Sequence, residues 1–169
     1  MSLLQKLTNP ATQTMDITVF HQDEESIKKI IDLSWAGGFI DGEGWIGIAR
    51  QTRKDYDTIS HRLKVAITQN NLEVLEHFKN IIGESGAINK GVRTEKMNRQ
   101  TYSLVFDSRH ALNVLHKIRP YLKRKGHEAD AVFAMWDEGL MGKRPGAKGW
   151  PPEIYKIREK WAQKISRLK

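Results

Sequence analysis

Residues 35–44 read Trp35-Ala36-Gly37-Gly38-Phe39-Ile40-Asp41-Gly42-Glu43-Gly44. They close a series, Ile27, Ile30, Ile31, Ser34, Trp35, Gly38 and Phe39, whose spacing predicts a helix. Asp23, Glu24 and Glu25 open it, where acidic side chains suit the positive end of the helix dipole, and it should run to about Gly42. Two adjacent glycines inside a helix cost roughly 1 kcal/mol each relative to alanine. Close approach of a second helix backbone, which only small residues permit, would offset that cost. Gly38 and Gly42 are four apart and share a face. Asp41 and Glu43 fall where the helix gives way to the next element.

Downstream the period changes from helical to alternating. Ile46 and Ile48 point one way, and Trp45, Gly47 and Ala49 the other. Leu63, Val65 and Ile67 share one face of a second stretch, while Arg62, Lys64, Ala66 and Thr68 share the opposite face. Such alternation predicts half-buried strands. Gly42, Gly44 and Gly47 spell GxGxxG. The dinucleotide fingerprint needs a strand before it and a helix after it, and here the order is reversed.

Asn71 can cap a second helix with Leu72, Leu75, Phe78 and Ile82 as its stripe, ended by Gly83 and Gly86. A weak strand, Ala87 to Val92, and a stronger one, Gln100 to Phe106, follow, with Lys90, Arg93, Lys96 and Arg99 between them. Ser108 is expected to cap a helix carrying Leu112, Leu115 and Ile118, and Pro120 to break it. A further helix, about 127–140, should bury Val132, Phe133 and Trp136. A last one, from near Pro152, carries Ile154, Ile157, Trp161 and Ile165. The expected organisation is a flexible arm at 1–22, a core at 23–141, and a basic linker with a C-terminal helix at 142–169. The fold class is α+β: an antiparallel sheet with helices on one face, leaving a polar, basic face for a partner or water.

The 169 residues suggest one domain with a core of useful size. The net charge is +8, unevenly spread. Residues 1–44 hold three lysines against seven carboxylates, whereas residues 119–169 hold thirteen basic against six acidic side chains. A basic balance points to a polyanionic partner. With no cysteine, disulfides and thiolate-bound zinc are excluded, and a reducing interior fits. No apolar run is long enough to span a bilayer, and no signal or Arg-rich transit pattern opens the chain. The expected location is therefore intracellular, a prokaryotic cytoplasm or an organelle interior.

The segment from Gly38 through Gly44 closely resembles the LAGLIDADG motif, whose variants end in DGDG or DGEG. Ala36 and Gly37 stand where the family has Leu and Ala. The element order from 23 to about 140 also resembles the family's αββαββα core, with its saddle-shaped sheet. The resemblance implies a homing endonuclease that cuts double-stranded DNA across the minor groove. Only one motif is present, which implies a homodimer with Trp35, Ala36, Gly37, Gly38, Asp41 and Gly42 at the interface. It also implies that Glu43 binds metal with the carbonyl of Gly42, while Asp41 plays a structural part. The ion would be Mg²⁺ or Mn²⁺, with Ca²⁺ able to occupy the site without supporting cleavage.

By the same resemblance Gln69, at the end of the second strand, and Lys125, in the run 119–125, complete the catalytic set. Glu73 stands where some relatives carry a basic residue. The expected DNA-binding residues are Arg62, Lys64, Ala66 and Thr68, then Thr101, Ser103, Lys90, Arg93 and Arg99. Arginine reads guanine edges and lysine meets phosphates. Two alternatives stay open on sequence: a maturase binding intron RNA with the same fold, and a DNA-binding regulator that does not cut.

Overall fold

A computed structural model of the chain describes residues 10–53, 58–92, 99–146 and 149–169, with side chains described from residue 23 onward except at positions 53 and 58. Arg93 and Lys96 lie outside the described residues. Helix α1 spans Pro10–Glu43 and leads directly into β1, Gly44–Arg53. Then follow β2 (Thr58–Gln69), α2 (Leu72–Ile82), β3 (Ala87–Lys90), β4 (Tyr102–Asp107) and α3 (Ser108–Ile118). A single 3-10 turn, Arg119–Tyr121, precedes α4 (Gly126–Glu138) and α5 (Pro152–Arg167).

The first helix begins within the stretch expected to be an arm. Proline at a helix's first position loses no bond, because that N–H has no intrahelical partner, so Pro10 is a compatible start. Asn71 caps α2 as expected, its side chain accepting the Val74 N–H at 3.3 Å, and Gly83 ends the helix in the left-handed conformation at φ 65°. Ser108 does not cap α3. It is the first residue of that helix at φ 51°, and Asp107 holds the cap position without a side-chain hydrogen bond.

The four strands form one antiparallel sheet in the order β1-β2-β4-β3. The β1–β2 hairpin stays paired from Gly44 opposite Ile67 to Arg53 opposite Thr58. The alternation read from sequence holds. Ile46, Leu63, Val65, Ile67, Leu104 and Phe106 are buried on one face, under helices that contribute Leu75, Phe78, Leu115, Ile118 and Val132. Arg62, Lys64, Ala66 and Thr68 stand on the other face, exposed or half-exposed.

In α4 the fully buried side chains are Ala129, Val132 and Met135, while Phe133 and Trp136 pack at the edge of the core. In α5 it is Ala162 and Ile165 that are buried, with Arg158 donating to the carbonyl of Gly139 at 2.6 Å. Glu159 of α5 clamps the far end of the hairpin: it accepts from the guanidinium of Arg50 at 3.0 Å and lies 2.9 Å from His61 Nε2.

Candidate functional site

The end of α1 meets the loop before α4, and the two hold each other. Lys123, Arg124 and Lys125 donate their backbone N–H groups to the Asp41 carboxylate at 2.6, 3.0 and 2.8 Å. In return Lys125 Nζ donates to the carbonyls of Ile40 and Asp41 at 2.8 and 2.7 Å. The Arg124 guanidinium donates twice to the Asp41 carbonyl, at 2.8 and 2.6 Å. The last carbonyls of a helix have no intrahelical partner and carry its negative end, so cations belong there. Burial opposes ionisation of Asp41, but the amides of Lys125, Lys123 and Arg124, with the charge of Lys125, outweigh it and hold its carboxyl below the usual value. Burial, then the charge of Arg124, pulls Lys125 below the usual lysine range, opposed by Asp41, Glu128 and Glu43.

Glu43, one turn-end further on, is exposed and accepts a hydrogen bond from Gln69 Nε2 at 3.1 Å. The three residues singled out in the sequence thus gather at one place, the junction of α1, β2 and the loop before α4. Arg124 was not singled out. Its role depends on a contact 83 residues away in sequence, for which no local signal exists.

The described residues of α1 separate into two faces. Ala36 and Ile40 are fully buried in the subunit, and a Cβ on Gly37 would lie 2.6 Å from Tyr121 Cβ. Gly38 and Gly42 face outward, with nothing of the subunit within 4 Å of an added Cβ. Of the residues expected at a subunit contact, Ala36 and Gly37 are therefore turned into their own core, and Asp41 into the 123–125 loop. Trp35 is partly committed inside, stacked on Phe39 with ring centroids 5.1 Å apart.

Across the sheet, Thr68 pairs with Ser103 and Ser103 with Asn89, making one row on the face away from the helices. Thr68 Oγ1 donates to Ser103 Oγ at 3.3 Å. Lys64 pairs with Asp107, its Nζ 3.6 Å from the carboxylate. Lys90 does not join this face's rows: its register partner is Tyr102, in line with Gln69. Asn89 takes its place, a residue hidden in sequence because β3 is short. Thr101 precedes β4, and Arg99 is exposed in a bend before it. Glu73 is exposed in the first turn of α2.

The sequence profile of the LAGLIDADG endonuclease family matches residues 36–127, more than half of the chain. The chain belongs to that family. Solved structures agree with this LAGLIDADG chain in fold. The homing endonuclease I-CvuI, solved in complex with a DNA target, is 21% identical over 84% of each chain, with a TM-score of 0.68. The archaeal intron-encoded homing endonuclease I-Vdi141I, complexed with DNA, is 23% identical over 86% of each chain, at 0.64. I-GzeII, also solved with a DNA target, is 18% identical over 80% of this chain but only 43% of its own, at 0.56. The comparison with curated proteins returned no match. The LAGLIDADG element order therefore accounts for the α+β arrangement, and the profile covers the C-terminal end of α1, the whole sheet and the 123–125 loop.

One exposed carboxylate at a helix end, beside backbone carbonyls, is a hard oxygen donor set that suits Mg²⁺ or Ca²⁺. Among the described residues no three His, Asp or Glu side chains converge to hold an ion. The described residues thus offer Glu43 and neighbouring backbone carbonyls as oxygen donors at this helix end.

Proposed function

We propose that the chain is a site-specific homing endonuclease that works as a symmetric homodimer and hydrolyses both strands of a long pseudo-palindromic DNA site. The observation that carries this reading is the placement of Glu43: exposed, oriented by Gln69, and beside the latched Lys125, at the end of a helix whose small residues Gly38 and Gly42 are open. Two copies joined along that helix would bring two Glu43 carboxylates together, supplying the donors that one subunit lacks. The fold fills most of I-CvuI but under half of I-GzeII, as suits a unit that operates in twos. Structures of I-CvuI with DNA were obtained in the presence of Mg and of Ca, which supports divalent-metal use here.

Glu43 and the carbonyl of Gly42 would hold the metal, and Gln69 would fix the carboxylate's orientation. A bound divalent ion supplies charge neutralisation at the phosphate and a more acidic water. Lys125 has three N–H groups, of which two are spent on carbonyls. The third would stabilise negative charge developing on the phosphate. Arg62, Lys64, Ala66, Thr68, Ser103 and Asn89 would read or hold the duplex from the open sheet face.

Glu43→Gln tests the assignment. It keeps shape and hydrogen bonding but loses the charge that retains a cation. We expect DNA affinity to stay level or rise, and cleavage of linear DNA in Mg²⁺ to fall at least a thousandfold. Double-strand cutting by that variant at the wild-type rate would refute it.

A further inference from the structure

Upstream of Gly38, α1 carries an apolar face that its own subunit leaves open. Ile27, Ile30 and Ile31 are 56%, 54% and 62% exposed. Contiguous exposed apolar side chains mark an interaction surface rather than ordinary scatter. Their spacing is ordered. Ile27, Ile31, Ser34 and Gly38 follow one another at intervals of four, three and four, and the same rhythm continues upstream through Glu24, Phe20 and Ile17. In heptad terms, 17, 24, 31 and 38 are a positions, and 20, 27 and 34 are d positions. Of these seven seam positions Ile17, Phe20, Ile27 and Ile31 are apolar, Ser34 and Gly38 are small, and Glu24 is charged, so the coiled-coil pattern is interrupted at Glu24 and narrows to small residues toward Gly38.

The flanks point to the occupant. In a parallel two-stranded coil each g residue meets the partner's e residue five positions later. Here that sets Asp16 against His21, Asp23 against Lys28, and Ile30 against Trp35. At the flanks one ion pair, one acid–imidazole pair and one apolar pair result, while Glu24, at an a position, meets its own copy across the seam. The flanking positions are complementary to themselves in this arrangement.

We propose that residues 16–38 of α1 form a parallel two-stranded coiled coil with the same segment of a second copy. This rests on the homodimer reading above. A two-fold axis that joins the Gly38 positions and sets both Glu43 side by side makes the two α1 helices parallel, so their upstream seams face each other. At 1.5 Å per residue the coil extends the contact by roughly 30 Å away from the Glu43 end.

The chain has no cysteine, so engineered thiols report cleanly. Full-length Ile27→Cys, at a d position, and Lys29→Cys, on the outer face of the coil, are oxidised mildly at micromolar concentration, with the dimer followed by light scattering. We expect Ile27→Cys to form covalent dimers at least tenfold faster. Asp23→Lys should weaken the dimer about threefold to tenfold, and adding Lys28→Asp should restore it. A dimer in which the two thiols cross-link equally slowly overturns the coiled coil while leaving the homodimer standing. A chain that stays monomeric in light scattering, alone and on its DNA, overturns both.

Discussion

Asp41 and Lys125 hold each other's backbones: the Asp41 carboxylate accepts the Lys125 N–H at 2.8 Å, and Lys125 Nζ returns to the Asp41 carbonyl at 2.7 Å. The exchange closes the end of the motif helix onto the loop before α4. It also ties the position of Glu43, two residues on, to a segment more than eighty residues away.

Asp41→Ala should therefore cost roughly 2–4 kcal/mol in urea unfolding, since three amides lose a charged acceptor and a buried ammonium loses its counter-charge. Lys125→Met should cost less stability but lower cleavage at least a hundredfold, with DNA affinity held within a few-fold. A Lys125→Met enzyme that cuts normally would remove Lys125 from the chemistry.

Neighbouring glycines should behave oppositely. Gly38→Leu places its side chain in space that one subunit leaves open, so the monomer should stay folded while assembly and cleavage are lost. Gly37→Leu would drive atoms into Tyr121 and should destabilise the subunit itself by about 2 kcal/mol or more. Circular dichroism and light scattering on the two variants separate these outcomes; identical behaviour would contradict the two-faced helix.

Asp107 lies 3.6 Å from Lys64 Nζ on the open sheet face, where it would compete with a DNA phosphate for that ammonium. Its carboxylate makes no hydrogen bond to the start of α3, so Asp107→Asn removes a charge without removing a cap. Affinity for DNA should rise severalfold at low salt, and the gain should shrink as salt is added. Weaker binding would show that Asp107 positions Lys64 instead.

Glu84 is held at a pKa of about 2 by hydrogen bonds from His110 and Lys117, then Asn113. Its folded value lies below its unfolded value of 4.5, so its contribution is fully present above about pH 4.5 and is lost as pH falls toward 2. Glu84→Gln should cost about 1–2 kcal/mol at pH 7, after allowing for solvent screening, and the difference from wild type should vanish near pH 2. Thermal melts across that range check it.

The sequence by itself determined much of this protein. Period-two alternation around Leu63–Ile67 and around Leu104–Phe106 fixed which side chains line the core, because strand geometry leaves only two faces. The run from Gly38 to Gly44 located the helix end and its carboxylates, and the Asn71 and Gly83 caps bounded α2. The tertiary structure decided the rest. Helical spacing shows that α1 has two small or apolar faces, but not which one the subunit covers. Packing under Tyr121 assigned Ala36 and Gly37 to the inside and left Gly38 outside. The register of β3 put Asn89, not Lys90, beside Ser103. Arg124 on Asp41 and Glu159 on Arg50 join positions 83 and 109 residues apart. Such contacts depend on how elements dock, and no local pattern of residues encodes that.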